Sequence, residues 1–136
     1  QEMRGHQDPL EKKYPLECYG YHGQGHVHSS YANLPWIQEL QPDLLLINPV
    51  DAQPRGIKSG DRVLVKNDRG SLFIKAKVTP RIIPGVVALP QGSWYQPNPK
   101  SGVDEGACMN TLTSSIVSPI SKGSPMHTNL VEVSLA

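Results

Sequence analysis

Asn48-Pro49-Val50-Asp51-Ala52-Gln53-Pro54-Arg55-Gly56-Ile57-Lys58-Ser59-Gly60-Asp61 is the stretch whose reading decides the fold. It joins two apolar segments, Leu44 to Ile47 and Val63 to Val65. Asn48 is a good N-cap, because its side-chain oxygen can accept from an orphan N–H of a first turn. Pro49 falls at the first helical position, where its missing N–H costs nothing. Asp51 then lies near the positive end of the helix dipole. Pro54 and Gly56 limit the helix to one or two turns, with Gly56 as a left-handed stop. Ser59-Gly60-Asp61 reverses the chain into a new strand. The unit reads as strand, short helix, tight turn, strand.

The rest of the chain is written in the same short units. Pro15 to Tyr21 reads as a strand, and Arg62 to Asn67 alternates with Val63 and Val65 on one face. Asn67-Asp68-Arg69-Gly70 is a hairpin signal, with Gly70 able to take a positive φ. Ser71 to Thr79 places Leu72, Ile74, Ala76 and Val78 on one face and Lys75 and Lys77 on the other. Val86 to Leu89 and Asn129 to Leu135 complete the strands. Leu34, Ile37 and Leu40 recur at helical spacing, so Leu34 to Leu40 predicts a short helix, or a turn whose Trp36 packs on the body. Gln1 to Lys13 is polar and patternless and reads as a linker or disordered arm. Pro90 to Met109 is long and irregular, and Ser118 to Pro125 is a Ser/Pro/Gly loop; loops as long as the first are functional or disordered. The fold class is mainly β: six or seven short strands with one or two short helices, as a barrel rather than a sandwich.

Composition narrows the function. The 136 residues predict one domain. A chain of this size buries roughly 68% of its unfolded surface. The formal net charge is +1 and the basic residues are scattered, which argues against nucleic acid. No apolar run approaches the roughly 20 residues of a membrane span, so no direct membrane insertion is expected. No signal peptide is visible, and the opening Gln1 suggests a processed or excised chain. Cys18 and Cys108 each read as a small core hydrophobe, and two cysteines do not establish a disulfide.

The chemistry-bearing residues cluster in loops. His22-Gly23-Gln24-Gly25-His26-Val27-His28-Ser29 carries three of the five histidines. It reads as a polar rim for a ligand, a metal site or a solvated loop. Gly23 and Gly25 favour the rim, and no Asp, Glu or Cys stands nearby in sequence to complete a zinc set. Gln91-Gly92-Ser93-Trp94-Tyr95 offers amide groups beside an aromatic wall, or a packing corner in which Trp94 covers a barrel end. Asn110 and Thr113 can cap a turn or meet a ligand, and Asn129 has the same two readings. No GxSxG elbow, phosphate-cradling GxxxxGK[ST] or carboxylate pair in an apolar setting occurs, so no catalytic residue is assigned. Gly70-Ser71, Gly92-Ser93 and Gly123-Ser124 are Gly–Ser bonds of the kind some small β-barrel decarboxylases cleave in themselves, a weak signal.

Ala32-Asn33-Leu34-Pro35-Trp36, Ile47 to Ala52, Arg55-Gly56-Ile57, Gly60-Asp61, Asn67 to Gly70, Gln91 to Tyr95 and Asn110-Thr111-Leu112-Thr113 resemble, in order and spacing, the C-terminal domain of the dimethyl sulfoxide reductase family of molybdenum oxidoreductases. The wording is closest to the catalytic subunits of its anaerobic bacterial members. The resemblance runs from about Tyr14 to Leu135. It implies a double-psi β-barrel spanning 14–136 that binds molybdopterin guanine dinucleotide. It implies cofactor contacts from His22, His26, His28 and Ser29, from Gln91 and Gly92, and from Asn110 and Asn129. The family often carries Arg two residues before the His of its His-Ser pair, where this chain has His26. Metal ligand and iron–sulfur cysteines lie in other domains of the family. The implied enzyme reduces dimethyl sulfoxide and related S- or N-oxides in anaerobic respiration, at the periplasmic face of the inner membrane. Its implied partners are the remaining domains of the catalytic subunit, an iron–sulfur electron-transfer subunit and a membrane anchor subunit. Such a domain is expected to be inactive alone. The other readings are a non-enzymatic interaction module and, on the Gly–Ser bonds, a self-processing decarboxylase.

Overall fold

A computed structural model describes residues 8–136. Among them six strands close into a barrel: β1 (Leu16–His22), β2 (Leu44–Ile47), β3 (Arg62–Lys66), β4 (Ser71–Val78), β5 (Val86–Gln91) and β6 (Asn129–Leu135). The order around the barrel is β1-β5-β2-β4-β3-β6. The pairs β1·β5 and β2·β4 are parallel, and the other four are antiparallel. This mixed closed sheet is the barrel the sequence implied. Two short helices join it, α1 (Pro35–Leu40) and α2 (Pro49–Ala52).

Alternation along the strands builds the core. Leu72, Ile74 and Ala76 of β4 point inward with Val63 and Val65 of β3, and Leu45, Ile47, Val87, Leu89, Val131 and Val133 meet them. Each fully buried aliphatic side chain contributes roughly 1.5–3 kcal/mol. Closure leaves no open sheet edge, so the barrel needs no neighbour to pair with. Pro90 is tolerated near the end of β5 because it lies beyond Val87 and Ala88, the residues that pair with β2.

The Asn48–Asp61 stretch forms as read. Asn48 Oδ1 accepts from the Val50 N–H at 2.9 Å, and its Nδ2 donates to the Ile82 carbonyl at 2.6 Å. Asp51 accepts from the Gly85 N–H at 2.6 Å. Gly56 takes φ +67° and ends the helical turns. Arg55 reaches across to Glu132 on β6 at 3.0 Å. The unit therefore braces one end of the barrel, tying β2, the 79–85 turn and β6 together.

Three local expectations change. Gly70 does not adopt positive φ. It is glycine because an added Cβ would lie 2.7 Å from the Thr111 carbonyl oxygen, so the hairpin abuts the 109–112 turn. Of the Leu34, Ile37 and Leu40 face of α1, only Ile37 is fully buried; Leu40 and Trp36 are exposed. A six-residue helix on a small barrel covers only one position. Pro9–Lys12, within the expected arm, forms a 3-10 turn capped by Asp8. Behind it, Lys13 and Tyr14 both bond Asp68 of the hairpin. Residues 1–7 lie outside the described residues.

Candidate functional site

Strand direction gathers the chemistry at the other end of the barrel. β1 and β5 run parallel and finish side by side, with His22 opposite Gln91. Asp43, just before β2, the 67–70 hairpin and Asn129 at the start of β6 belong to the same end. A cleft of about 260 Å³ opens there, lined by His28, Ser29, Gln91, Gly92, Asn110 and, among others, Cys108, Met109 and Met126. Five of the eight sequence-proposed residues thus share one cleft.

The two lips of the cleft are clasped tightly. Gly92 has φ +96°, and an added Cβ would lie 1.8 Å from the His28 carbonyl oxygen. Only glycine allows the His28 backbone to rest there. The Trp94 indole N–H donates to the Ser29 carbonyl at 2.9 Å. Trp94 itself is half-exposed, so it ties a loop rather than covering a barrel end. His28 is held at φ +48°, uncommon outside glycine, in an exposed position.

The remaining three candidates stand around the cleft. His22 is exposed, and its ring meets that of His28 edge-on, centroids 4.9 Å apart. His26 is buried behind the lip: Nδ1 lies 2.5 Å from the His28 carbonyl and Nε2 lies 3.3 Å from Asp43 Oδ1. Asn129 is buried and lines a second cleft of about 400 Å³ with Ile116, Val117, Thr128 and several serines. Its amide donates to the Met126 carbonyl at 3.2 Å and its oxygen accepts from Arg69 at 3.4 Å. Met126 lines the first cleft, so the 126–129 segment divides the two.

Two aspartates carry the architecture without any sequence signal. Asp43 Oδ2 accepts from the Ser93 hydroxyl at 2.8 Å while Oδ1 faces His26. Asp104 is fully buried and orders the long 90–109 segment. Its carboxylate accepts from the N–H groups of Gln96, Gly106 and Cys108 at 2.8, 2.9 and 2.6 Å. Its backbone joins β4 through Ser71 and Phe73. Asp104 thereby sets the 109–112 turn that carries Asn110.

The donor set is suited to a neutral, polar heterocycle and its phosphates more than to acid–base catalysis. Asn110 is exposed, and its side chain makes no hydrogen bond among the described residues. The Thr128 hydroxyl is buried without a partner among the described residues, beside Asn129. A buried hydroxyl of this kind calls for a partner, which an ordered water or a ligand group can supply. Among the described residues no group of His, Cys, Asp and Glu could hold a metal ion, and no helix is long and apolar enough to cross a membrane. His28, Ser29, Gly92 and Asn110 present this face to the cleft.

A closed mixed barrel with a polar cleft at one end is the geometry of a ligand-binding domain. Residues 18–130 match the family model for the molydopterin dinucleotide binding domain, and the chain belongs to that family. It is similar to the dimethyl sulfoxide reductase DmsA of Escherichia coli K12, at 52% identity over 96% of this chain and 16% of that protein. Trimethylamine-N-oxide reductase 1 of the same organism is 34% identical over 96% of the chain, again 16% of that protein. Acetylene hydratase from Pelobacter acetylenicus shares the fold, with a TM-score of 0.77 and 23% identity over 94% of this chain and 19% of its own. The chain therefore spans about a sixth of its curated relatives' length.

Proposed function

We propose that this chain is the dinucleotide-binding domain of a molybdenum oxidoreductase catalytic subunit that reduces dimethyl sulfoxide and related S- or N-oxides in anaerobic respiration. The observation that carries the reading is the cleft in which His28, Ser29, Gln91, Gly92 and Asn110 converge, in a chain 52% identical to a dimethyl sulfoxide reductase. His28 and Ser29 present the loop edge to the cofactor, Gly92 lets the backbone approach, and Asn110 supplies an uncommitted amide. Asn129 and the Thr128 hydroxyl extend the same face into the second cleft. His22 flanks the face through His28. His26 acts from behind it.

When bound, the cofactor supplies the redox-active metal; this chain binds and orients it. The chain alone has no activity. Electrons arrive from an iron–sulfur subunit with a membrane anchor subunit, at the periplasmic face of the inner membrane. The reading is tested by adding molybdopterin guanine dinucleotide at millimolar concentration to the isotope-labelled chain under anaerobic conditions. Backbone resonances of His28, Ser29, Asn110 and Asn129 are expected to move while those of the Asn48–Asp61 brace stay. Unmoved resonances at all four positions would overturn the site.

A further inference from the structure

The network behind the cleft has a property that neither its residue types nor its position alone conveys. His26 is sandwiched between two acceptors. Its Nδ1 faces the His28 carbonyl at 2.5 Å and its Nε2 faces the Asp43 carboxylate at 3.3 Å. A neutral imidazole has one N–H and satisfies one of them; the doubly protonated ring satisfies both. The ring is buried, its side chain 2% exposed, and Asp43 supplies the counter-charge a buried cation needs. The other Asp43 oxygen takes the Ser93 hydroxyl at 2.8 Å. One continuous chain of hydrogen bonds therefore runs from the lip at His28, through His26 and Asp43, to the lip at Ser93.

We propose that Asp43 is a positioning residue that acts through a doubly protonated His26 to fix the separation of the two lips of the cofactor cleft. Neither residue lines the cleft; both set where His28, Ser29 and Gly92 stand. The inference rests on the cofactor reading for its purpose and on the hydrogen-bond geometry for its existence. The neighbouring groups leave Asp43 as the partner. The Tyr21 hydroxyl at the end of β1 donates to the Leu44 carbonyl at 3.0 Å. His22 meets the ring of His28. Lys77 of β4 lines the hollow beside the pair, and its positive charge opposes the imidazolium, so the Asp43 carboxylate is the group that balances it. When His26 loses its second proton, a lone pair faces an acceptor and one bond of the strut opens. The Asp43 bond is the longer of the two and opens first. The lips then lose their tether through Ser93.

The test is a pH titration of the ligand-free, isotope-labelled chain, following the His26 ring nitrogens with the amides of Ser29, Gly92 and Ser93. The expected result is a ring protonated on both nitrogens at the acidic end, with the three amides moving at the ring's own midpoint. Asp43→Asn can donate to the ring from its amide and accept from Ser93 with its oxygen. It is expected to keep the lips in place, convert the ring to a singly protonated tautomer and abolish the co-titration. Asp43→Ala is expected to shift the Ser29 and Gly92 amides and weaken dinucleotide binding about tenfold, with Asp43→Asn restoring it. A singly protonated wild-type ring with silent amides would overturn the strut. An Asp43→Ala chain with unchanged amides and affinity would do the same. Should Asp43→Ala fail to fold, the wild-type and Asp43→Asn titrations still decide. A dinucleotide that moves no cleft resonance of the wild type overturns the cofactor reading, while the ligand-free titration decides the strut separately.

Discussion

The two ends of the barrel use the same device, a side chain bonded to backbone, for opposite ends. At the brace, Asn48 and Asp51 bond the groups around them, and Asn48 is buried with both its amide atoms engaged. At the cleft, polar groups are spent on holding loops, so that others remain free. Asp104, Asp43 and Trp94 are consumed in support, whereas His28, Ser29 and Asn110 stand exposed. The difference teaches that an unsatisfied polar group carries more information about function than the mere presence of one. It also sets the brace, where the polar groups are used up, against the cleft, where some stay exposed.

That division can be broken most severely at Asp104. Asp104→Ala leaves three N–H groups without their acceptor and is expected to cost about 3 kcal/mol or more, read as a lower urea midpoint. It should also erase the dinucleotide response, because the turn carrying Asn110 loses its anchor. Next is Asn48→Ala at the brace, which removes a cap and the Ile82 contact. A loss of about 1–2 kcal/mol is expected, with the dinucleotide response intact. Asn110→Ala is the mirror image: stability within about 0.5 kcal/mol of the parent, and dinucleotide affinity down about tenfold. If Asn48→Ala weakened binding as much as Asn110→Ala, the division between the ends would fail.

The smallest effect belongs to the Asp68 contact beside the cleft. Hydrogen bonds from Lys13, then from Tyr14, hold the Asp68 carboxyl below its ordinary value of 3.8. A depressed folded value means that the contribution is fully present above the ordinary carboxylate range and is lost as pH falls through the lowered value. Both charged side chains are solvent-exposed, so the contribution is small. Unfolding midpoints followed with pH should show a slight acid-limb loss that Asp68→Asn removes.

Much of the barrel was legible in the residues. Alternation in Ser71 to Thr79, the Asn48 cap and the Gly56 stop follow from local chemistry and formed as expected. The barrel's strand order did not follow from it. Parallel pairing of β1 with β5 depends on contacts between segments far apart in the chain, and a local pattern does not encode them. The cleft was half legible: the resemblance named His28, Ser29, Gln91, Gly92 and Asn110 as cofactor candidates, and the fold brings those five to one cleft. Asp43 and Asp104 were missed for a physical reason. Asp43 meets Ser93 across 50 positions, and nothing near either residue announces the other. His26 shows the same limit. A histidine in a Gly-rich loop reads as exposed rim, yet burial against Asp43 makes it a support. Gly70 was identified as a glycine position for φ, while the neighbouring Thr111 carbonyl supplies the actual reason.

The thiols give the most direct measurement of the central claim, that the cofactor lies on the cleft end. Cys18 is fully buried in β1, and burial pushes its thiol up to about 12, so it stays protonated and unreactive near neutral pH. Cys108 is only half-buried and lines the cleft beside Asn110. Alkylation of the folded chain near neutral pH should therefore label Cys108 alone, and molybdopterin guanine dinucleotide should slow that labelling in proportion to its occupancy. A Cys108 labelling rate that is unchanged at saturating dinucleotide would contradict the account.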